Sequence, residues 1–116
     1  MESVSIKLKR QATHEELLAA WAEFRPLAGQ GLPTAPDQPI QWAAQPDRPQ
    51  PRLDRNRGNG MAVTVGRLRP CGVLDWKFTV LSHNTIRGAA GATILNAELL
   101  ASLGKLEPVA AAAAHA

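Results

Sequence analysis

An α+β fold, with a mixed or antiparallel sheet and packed helices, is predicted by three features of this 116-residue sequence. An alternating strand stands almost at the first residue, two further alternating strands flank a tight turn, and the two helical stretches are kept apart by a long coil and that strand pair. The order strand, helix, coil, strand, strand, helix contains no internal repeat and fits one mixed layer of sheet and helices. At this length the chain is one domain at most.

The first strand is "SVSIKLK", in which Val4, Ile6 and Leu8 point one way and Ser3, Ser5, Lys7 and Lys9 the other. Period two is the signature of a strand with one buried and one wet face. "THEELLAAWAEF" follows and opens with a capping box: Thr13 accepts from the amide of Glu16, and Glu16 reaches back to that of Thr13. Leu17, Trp21 and Phe24 make one apolar stripe, and Pro26 stops the helix.

Residues 25–59 change character. They hold Pro26, Pro33, Pro36, Pro39, Pro46, Pro49 and Pro51, with Arg48, Arg52, Arg55 and Arg57, and only "PIQWA" hints at a short edge strand. A coil this long in a compact domain serves a function or drapes over a partner. Then "GMAVTVGRLRPCGVLDWKFTVLS" reads as an antiparallel hairpin. Met61, Val63 and Val65 alternate with Ala62, Thr64 and Gly66, and Leu74, Trp76, Phe78 and Val80 form the apolar face of the second strand. Pro70 suits the second position of the turn and Gly72 its exit.

"HNTIRGAAGATILNAELL" reads as a helix with few polar positions. Arg87, Glu98 and Ser102 gather in a narrow sector, while Ile94, Leu95, Leu99, Leu100, Leu103 and alanines fill nearly everything else. Such a helix expects neighbours on more than one side. The closing "VAAAAAHA" is a low-complexity tail expected to be unstructured in solution.

Composition narrows the function classes. Hydrophobic residues make up 45% and charged residues 20%, as in globular proteins, and the net charge of +3 is mild. Cys71 is the single cysteine, so no internal disulfide or multi-cysteine metal site can form. It lies in the predicted hairpin turn with no histidine placed beside it, so a nucleophilic role lacks its base. His14, His83 and His115 form no metal-spaced pair. The four arginines of the coil could meet phosphates, but Asp47 and Asp54 dilute them and no aromatic residues are interleaved, so a solvated or subunit-contacting arm is expected and no nucleic acid. No run reaches the roughly 18 apolar residues of a membrane span, and the start carries no secretory pattern. A cytoplasmic protein is the expectation.

The one candidate binding residue is Asn84, where a strand gives way to a helix. Its side chain could cap that helix, with the free amides of the first turn facing an anion or a ligand amide, and with Gly88 and Gly91 allowing close approach. The same residues also serve a plain cap and tight helix packing. The G-x-G-x-x-G spacing of a dinucleotide fold is absent.

Three stretches, "ESVSIKLK", "RPQPRLDRNRGNGMAVTVGRLR" and "VLDWKFTVLSHNTIRGAAGATILNAELL", together resemble the C-terminal part of aspartate-semialdehyde dehydrogenases, over roughly Glu2 to Leu103. The resemblance implies part of a glyceraldehyde-3-phosphate-dehydrogenase-like C-terminal domain. It divides the chain into residues 1–82, part of the catalytic and dimerisation domain; residues 83–104, a helix that returns to pack on a nucleotide-binding domain; and a disordered alanine-rich tail, residues 105–116. The implied activity is the NADPH-dependent reductive dephosphorylation of aspartyl phosphate to aspartate semialdehyde, leading to lysine, methionine, threonine and diaminopimelate. NADP is the implied cofactor and Asn84 the residue placed near its nicotinamide.

The resemblance places the nucleophilic cysteine and the general-base histidine outside this sequence. Cys71 does not match the first, and Met1 stands where the family's serine would follow the second. An isolated chain without turnover is therefore expected, paired as a homodimer or with an N-terminal nucleotide-binding portion. A non-enzymatic, self-associating module, or a partner of a separately encoded N-terminal half, is the alternative.

Overall fold

The structure is a computed structural model that describes residues 1–106. Nearly all of the expected alanine-rich tail, from residue 107 onward, lies outside the described residues. Four strands make one mixed sheet: β1 (Glu2–Ile6), β2 (Ile40–Ala43), β3 (Val63–Pro70) and β4 (Trp76–Leu81), in the order β1-β4-β3-β2. The hairpin β3–β4 is antiparallel, as its alternation predicts, and β1 adds antiparallel to β4 with Val4 opposite Phe78. "PIQWA" supplies the edge strand β2, which lies parallel to β3 with Trp42 opposite Val65.

Helix α1 (His14–Glu23) carries the predicted capping box: the Glu16 amide donates to Thr13 Oγ1 at 3.2 Å, and the Thr13 amide to Glu16 Oε2 at 2.7 Å. Leu17, Leu18 and Trp21 lay this helix on one sheet face, against Val65, Leu68 and Phe78 with Val4, Ile6, Trp42, Trp76 and Val80 around them. Trp21 meets Phe78 edge-on at 5.1 Å between ring centroids and stacks on Trp42 at 6.1 Å. Phe24, expected in the stripe, is instead 51% exposed, because the helix ends at Glu23 and Phe24 turns to an extended conformation.

Strict alternation along β3 would put Leu68 on the face opposite Val65. It does not, because the register with β4 shifts between Gly66 and Arg69, and Arg67 takes a left-handed φ of 58°. This bulge returns Leu68 to the α1 side. The strand then runs on through Pro70, so the connection falls at residues 71–75, later than the proline suggests.

The other face of the sheet is also covered. Thr64, Gly66, Thr79 and Leu81 are buried. A side chain on Gly66 would collide with the Arg48 carbonyl and the Pro49 ring. The arginine-rich coil therefore drapes over its own sheet and gains a single helical turn, α2 (Pro51–Asp54), instead of forming a solvated arm. Arg48 and Arg57 both pair with Asp54, which is 1% exposed, whereas Arg52 and Arg55 stay in solvent.

Met61 falls outside β3. It joins Leu32 and Leu95 in a second small core, with Leu27, Ala35, Ile86 and Leu99 packed around it. This core seats the last helix, α3 (Gly91–Ser102).

Candidate functional site

After β4 the chain turns at residues 82–85, makes a π-helical turn (Ile86–Ala90), and enters α3. The wide turn is closed by bonds spanning five residues: the Gly88 amide donates to the His83 carbonyl, and that of Ala90 to the Thr85 carbonyl, each at 2.9 Å.

The sequence points to Asn84 as the cap of this helix. The structure gives that task to its neighbour. His83 Nδ1 accepts from the amides of Thr85 at 3.2 Å and Ile86 at 3.1 Å. A ring nitrogen held one residue back reaches both amides, so they are not open to an anion or a ligand. Asn84 is left exposed. His83 is half-buried and structural here. A histidine directly before N-T at a strand end was the available signal.

Beneath this turn the chain packs closely. Gly60 adopts φ 81°, and a Cβ there would stand 2.8 Å from Ile86 Cδ1. A Cβ on Gly91 would meet Met61 Sδ and Ile86, so Gly91 serves tight packing. Gly88 has only the His83 carbonyl nearby, 3.5 Å from a Cβ position.

Along α3 the expected burial is partly inverted. One member of its polar sector faces inward: Glu98 accepts from the Thr34 amide at 2.9 Å and from Thr34 Oγ1 at 2.5 Å, pinning the 25–39 segment to the helix. Leu95 is buried beside it, but Ile94 is 54%, Leu100 44% and Leu103 59% exposed. At about 100° per residue, Ile94 and Leu100 lie roughly 120° apart, so apolar side chains are open on either side of the buried seam. A cleft of about 760 Å³ runs between this helix and the 25–39 segment, lined by Leu27, Leu32, Leu95 and Leu99 with Arg87 and Asn96. Neither His83 nor Asn84 lines it.

Other reactive side chains lie elsewhere. Cys71 sits in the hairpin turn, at the far end of β4 from His83; six residues of strand put roughly 20 Å between them. The Leu74 amide donates to its sulfur at 3.5 Å, and that bond with one from Val73 draws the thiol below its usual pKa. His14 packs its ring against Trp42 and Trp76. No group of three or more metal-ligating residues occurs among the described residues, and no helix there is long and apolar enough to cross a membrane.

Comparison with known proteins gives this geometry a family. Residues 1–87 match the model of the semialdehyde dehydrogenase dimerisation domain. The chain is 52% identical over 99 residues to the aspartate-semialdehyde dehydrogenase of Archaeoglobus fulgidus, which spans 85% of this chain and 28% of the relative. It is 60% identical over 70 residues to that of Saccharomyces cerevisiae, or 60% of this chain and 19% of the relative. The crystal structure of the Candida albicans enzyme with NADP superposes with a TM-score of 0.78 at 43% identity, covering 90% of this chain and 30% of that one. The chain thus spans less than a third of the length of these proteins. By sequence and by fold, it belongs to the semialdehyde dehydrogenase family and corresponds to its dimerisation domain.

Proposed function

We propose that this chain is the C-terminal part of an NADP-dependent aspartate-semialdehyde dehydrogenase, which reductively dephosphorylates aspartyl phosphate to aspartate semialdehyde in the cytoplasm, toward lysine, methionine, threonine and diaminopimelate. The observation that carries this reading is the pairing of 52% identity with coverage of only 28% of the Archaeoglobus fulgidus enzyme. Residues 1–82 act as part of the catalytic and dimerisation domain, and residues 83–104 as a helix that packs on a nucleotide-binding domain. The open apolar flanks of α3 suit that docking: burying Ile94, Leu100 and Leu103 is worth about 1.5–3 kcal/mol each.

The residues present fit one edge of a dinucleotide site and no more. NADPH, when bound, supplies the hydride. Asn84 presents an exposed carboxamide, a donor and an acceptor together, which complements the carboxamide of a nicotinamide. The chain offers no phosphate loop of the G-x-G-x-x-G kind. Nor do its described residues assemble a nucleophile and base. The Cys71 thiol and the His83 ring stand at opposite ends of β4, the ring engaged with backbone amides and His14 packed among tryptophans. The chain alone therefore has no turnover, and works as a homodimer or with an N-terminal portion.

The exposed apolar residues of α3 also favour a second reading, a self-associating, non-enzymatic module or the partner of a separately encoded N-terminal half. One experiment tests both. The purified chain is assayed with NADPH and aspartyl phosphate, alone and after co-expression with the N-terminal portion of the Archaeoglobus fulgidus relative. The dehydrogenase reading expects activity only in the mixture, and there Asn84→Ala weakens NADP binding roughly tenfold, about 1.4 kcal/mol. Turnover by the chain alone would overturn the claim of inactivity. A stable homodimer that neither binds the added portion nor gains activity would favour the module.

A further inference from the structure

We infer that His83 is a positioning residue, whose unprotonated Nδ1 fixes the turn that presents Asn84. Deepening the reading above, this rests on it only for what Asn84 meets. The ring nitrogen accepts from two consecutive backbone amides, Thr85 at 3.2 Å and Ile86 at 3.1 Å. A nitrogen that accepts carries no proton, so the ring is the tautomer protonated at Nε2. The backbone of the same residue holds the other side of the turn, its carbonyl accepting from the Gly88 amide at 2.9 Å. Asn84 is thus enclosed by bonds that all begin on His83 and close on residues 85, 86 and 88.

The buttress under the turn is equally specific. Ile86, whose amide His83 receives, rests on the left-handed Gly60, where a Cβ would stand 2.8 Å from Ile86 Cδ1. With the turn held from above by a ring and from below by a bare backbone, Asn84 stands exposed upon it. There is a consequence for recognition. Because His83 occupies the first amides, a ligand at this turn is read by the Asn84 carboxamide and not by the helix terminus.

The position of one acceptor atom is what the test must change. Asparagine places its side-chain oxygen close to where Nδ1 stands, whereas glutamine places one close to Nε2. Amide hydrogen exchange followed by NMR on the full 116-residue chain therefore compares the unsubstituted protein with His83→Asn and His83→Gln. Thr85 and Ile86 should remain protected in His83→Asn and exchange roughly tenfold faster or more in His83→Gln, with the Phe78 amide in β4 unchanged in both. Equal protection in His83→Gln, or equal loss in both variants, would overturn the inference. Imidazole nitrogen shifts of the unsubstituted chain give an answer even if His83→Gln fails to fold: His83 must show a proton on Nε2 and none on Nδ1 near neutral pH, and the reverse tautomer sinks the idea. These readouts concern the turn itself, so their failure is distinct from failure of NADP binding in the assembled enzyme.

Discussion

The Arg48 guanidinium closes on both carboxylate oxygens of Asp54, with its Nε 2.7 Å from Oδ2 and Nη2 on Oδ1. Asp54 is also reached by Arg57 Nε at 3.0 Å and by the Gln50 amide at 2.7 Å. One buried carboxylate thus gathers the start, middle and end of the segment that covers the back of the sheet. Replacing it by Asn keeps the shape but removes the charge facing two guanidinium groups. Asp54→Asn should cost roughly 3 kcal/mol in denaturant unfolding, the penalty expected for breaking a buried pair from one side. A loss below about 0.5 kcal/mol would show that the segment holds by packing alone.

The same group sets an acid limit. The Arg48 hydrogen bonds, helped by the Gln50 amide and Arg57 and opposed by burial, bring the Asp54 carboxyl from 3.8 to about 2. A carboxylate with a depressed folded pKa contributes stability that is fully present above its unfolded value and is lost as pH falls through the folded one. Stability should therefore fall between about pH 4 and pH 2, by on the order of 2 kcal/mol from this group. Unfolding curves of Asp54→Asn across that range should be flatter than those of the unsubstituted chain by that amount; parallel curves would remove Asp54 from the acid transition.

Two glycines distinguish close packing from open turn. A methyl group at Gly66 meets the Arg48 carbonyl and Pro49, neither of them a flexible side-chain end, whereas a methyl at Gly72 meets nothing within 4 Å. Gly66→Ala should destabilise by about 1–3 kcal/mol, as overpacking does. Gly72→Ala should stay within about 0.5 kcal/mol. Thermal melts of the pair give the comparison, and a harmless Gly66→Ala would mean that the covering segment is not seated on the sheet.

The open flanks of α3 predict association. Replacing Ile94, Leu100 and Leu103 together by Gln keeps good helix propensity at exposed positions, so stability should change by less than about 1 kcal/mol. Self-association of the chain, followed by size-exclusion chromatography with light scattering, should fall sharply in this variant. A parent chain that is already a clean monomer would show that these flanks do not drive self-association.

The terminal helix shows how far residue order can be read. Its apolar content was legible, because a helical wheel records which residues are present at each angle. Which angle faces inward was not. Glu98 lies in the polar sector and yet turns toward the chain's own body, because Thr34, distant in sequence, offers an amide and a hydroxyl that satisfy the carboxylate. The arginine-rich segment is the same case. Its charges read as a solvated or subunit-contacting arm, since nothing in their spacing shows that Asp54 would be buried between Arg48 and Arg57.

Local patterns by themselves determined β1, the capping box of α1, the edge strand β2 and the hairpin β3–β4, since alternation, capping and turn chemistry act between residues close in the chain. Tertiary structure alone decided that Leu68 returns to the α1 face, that the coil closes the back of the sheet, and that His83 rather than Asn84 holds the last helix. Each of those depends on a left-handed backbone angle, a collision with a distant carbonyl or competition between adjacent side chains for the same amides. The first two are fixed only when remote segments are brought within a few ångströms of one another, and the third only by the folded path of the turn, which sets which side chain reaches the amides.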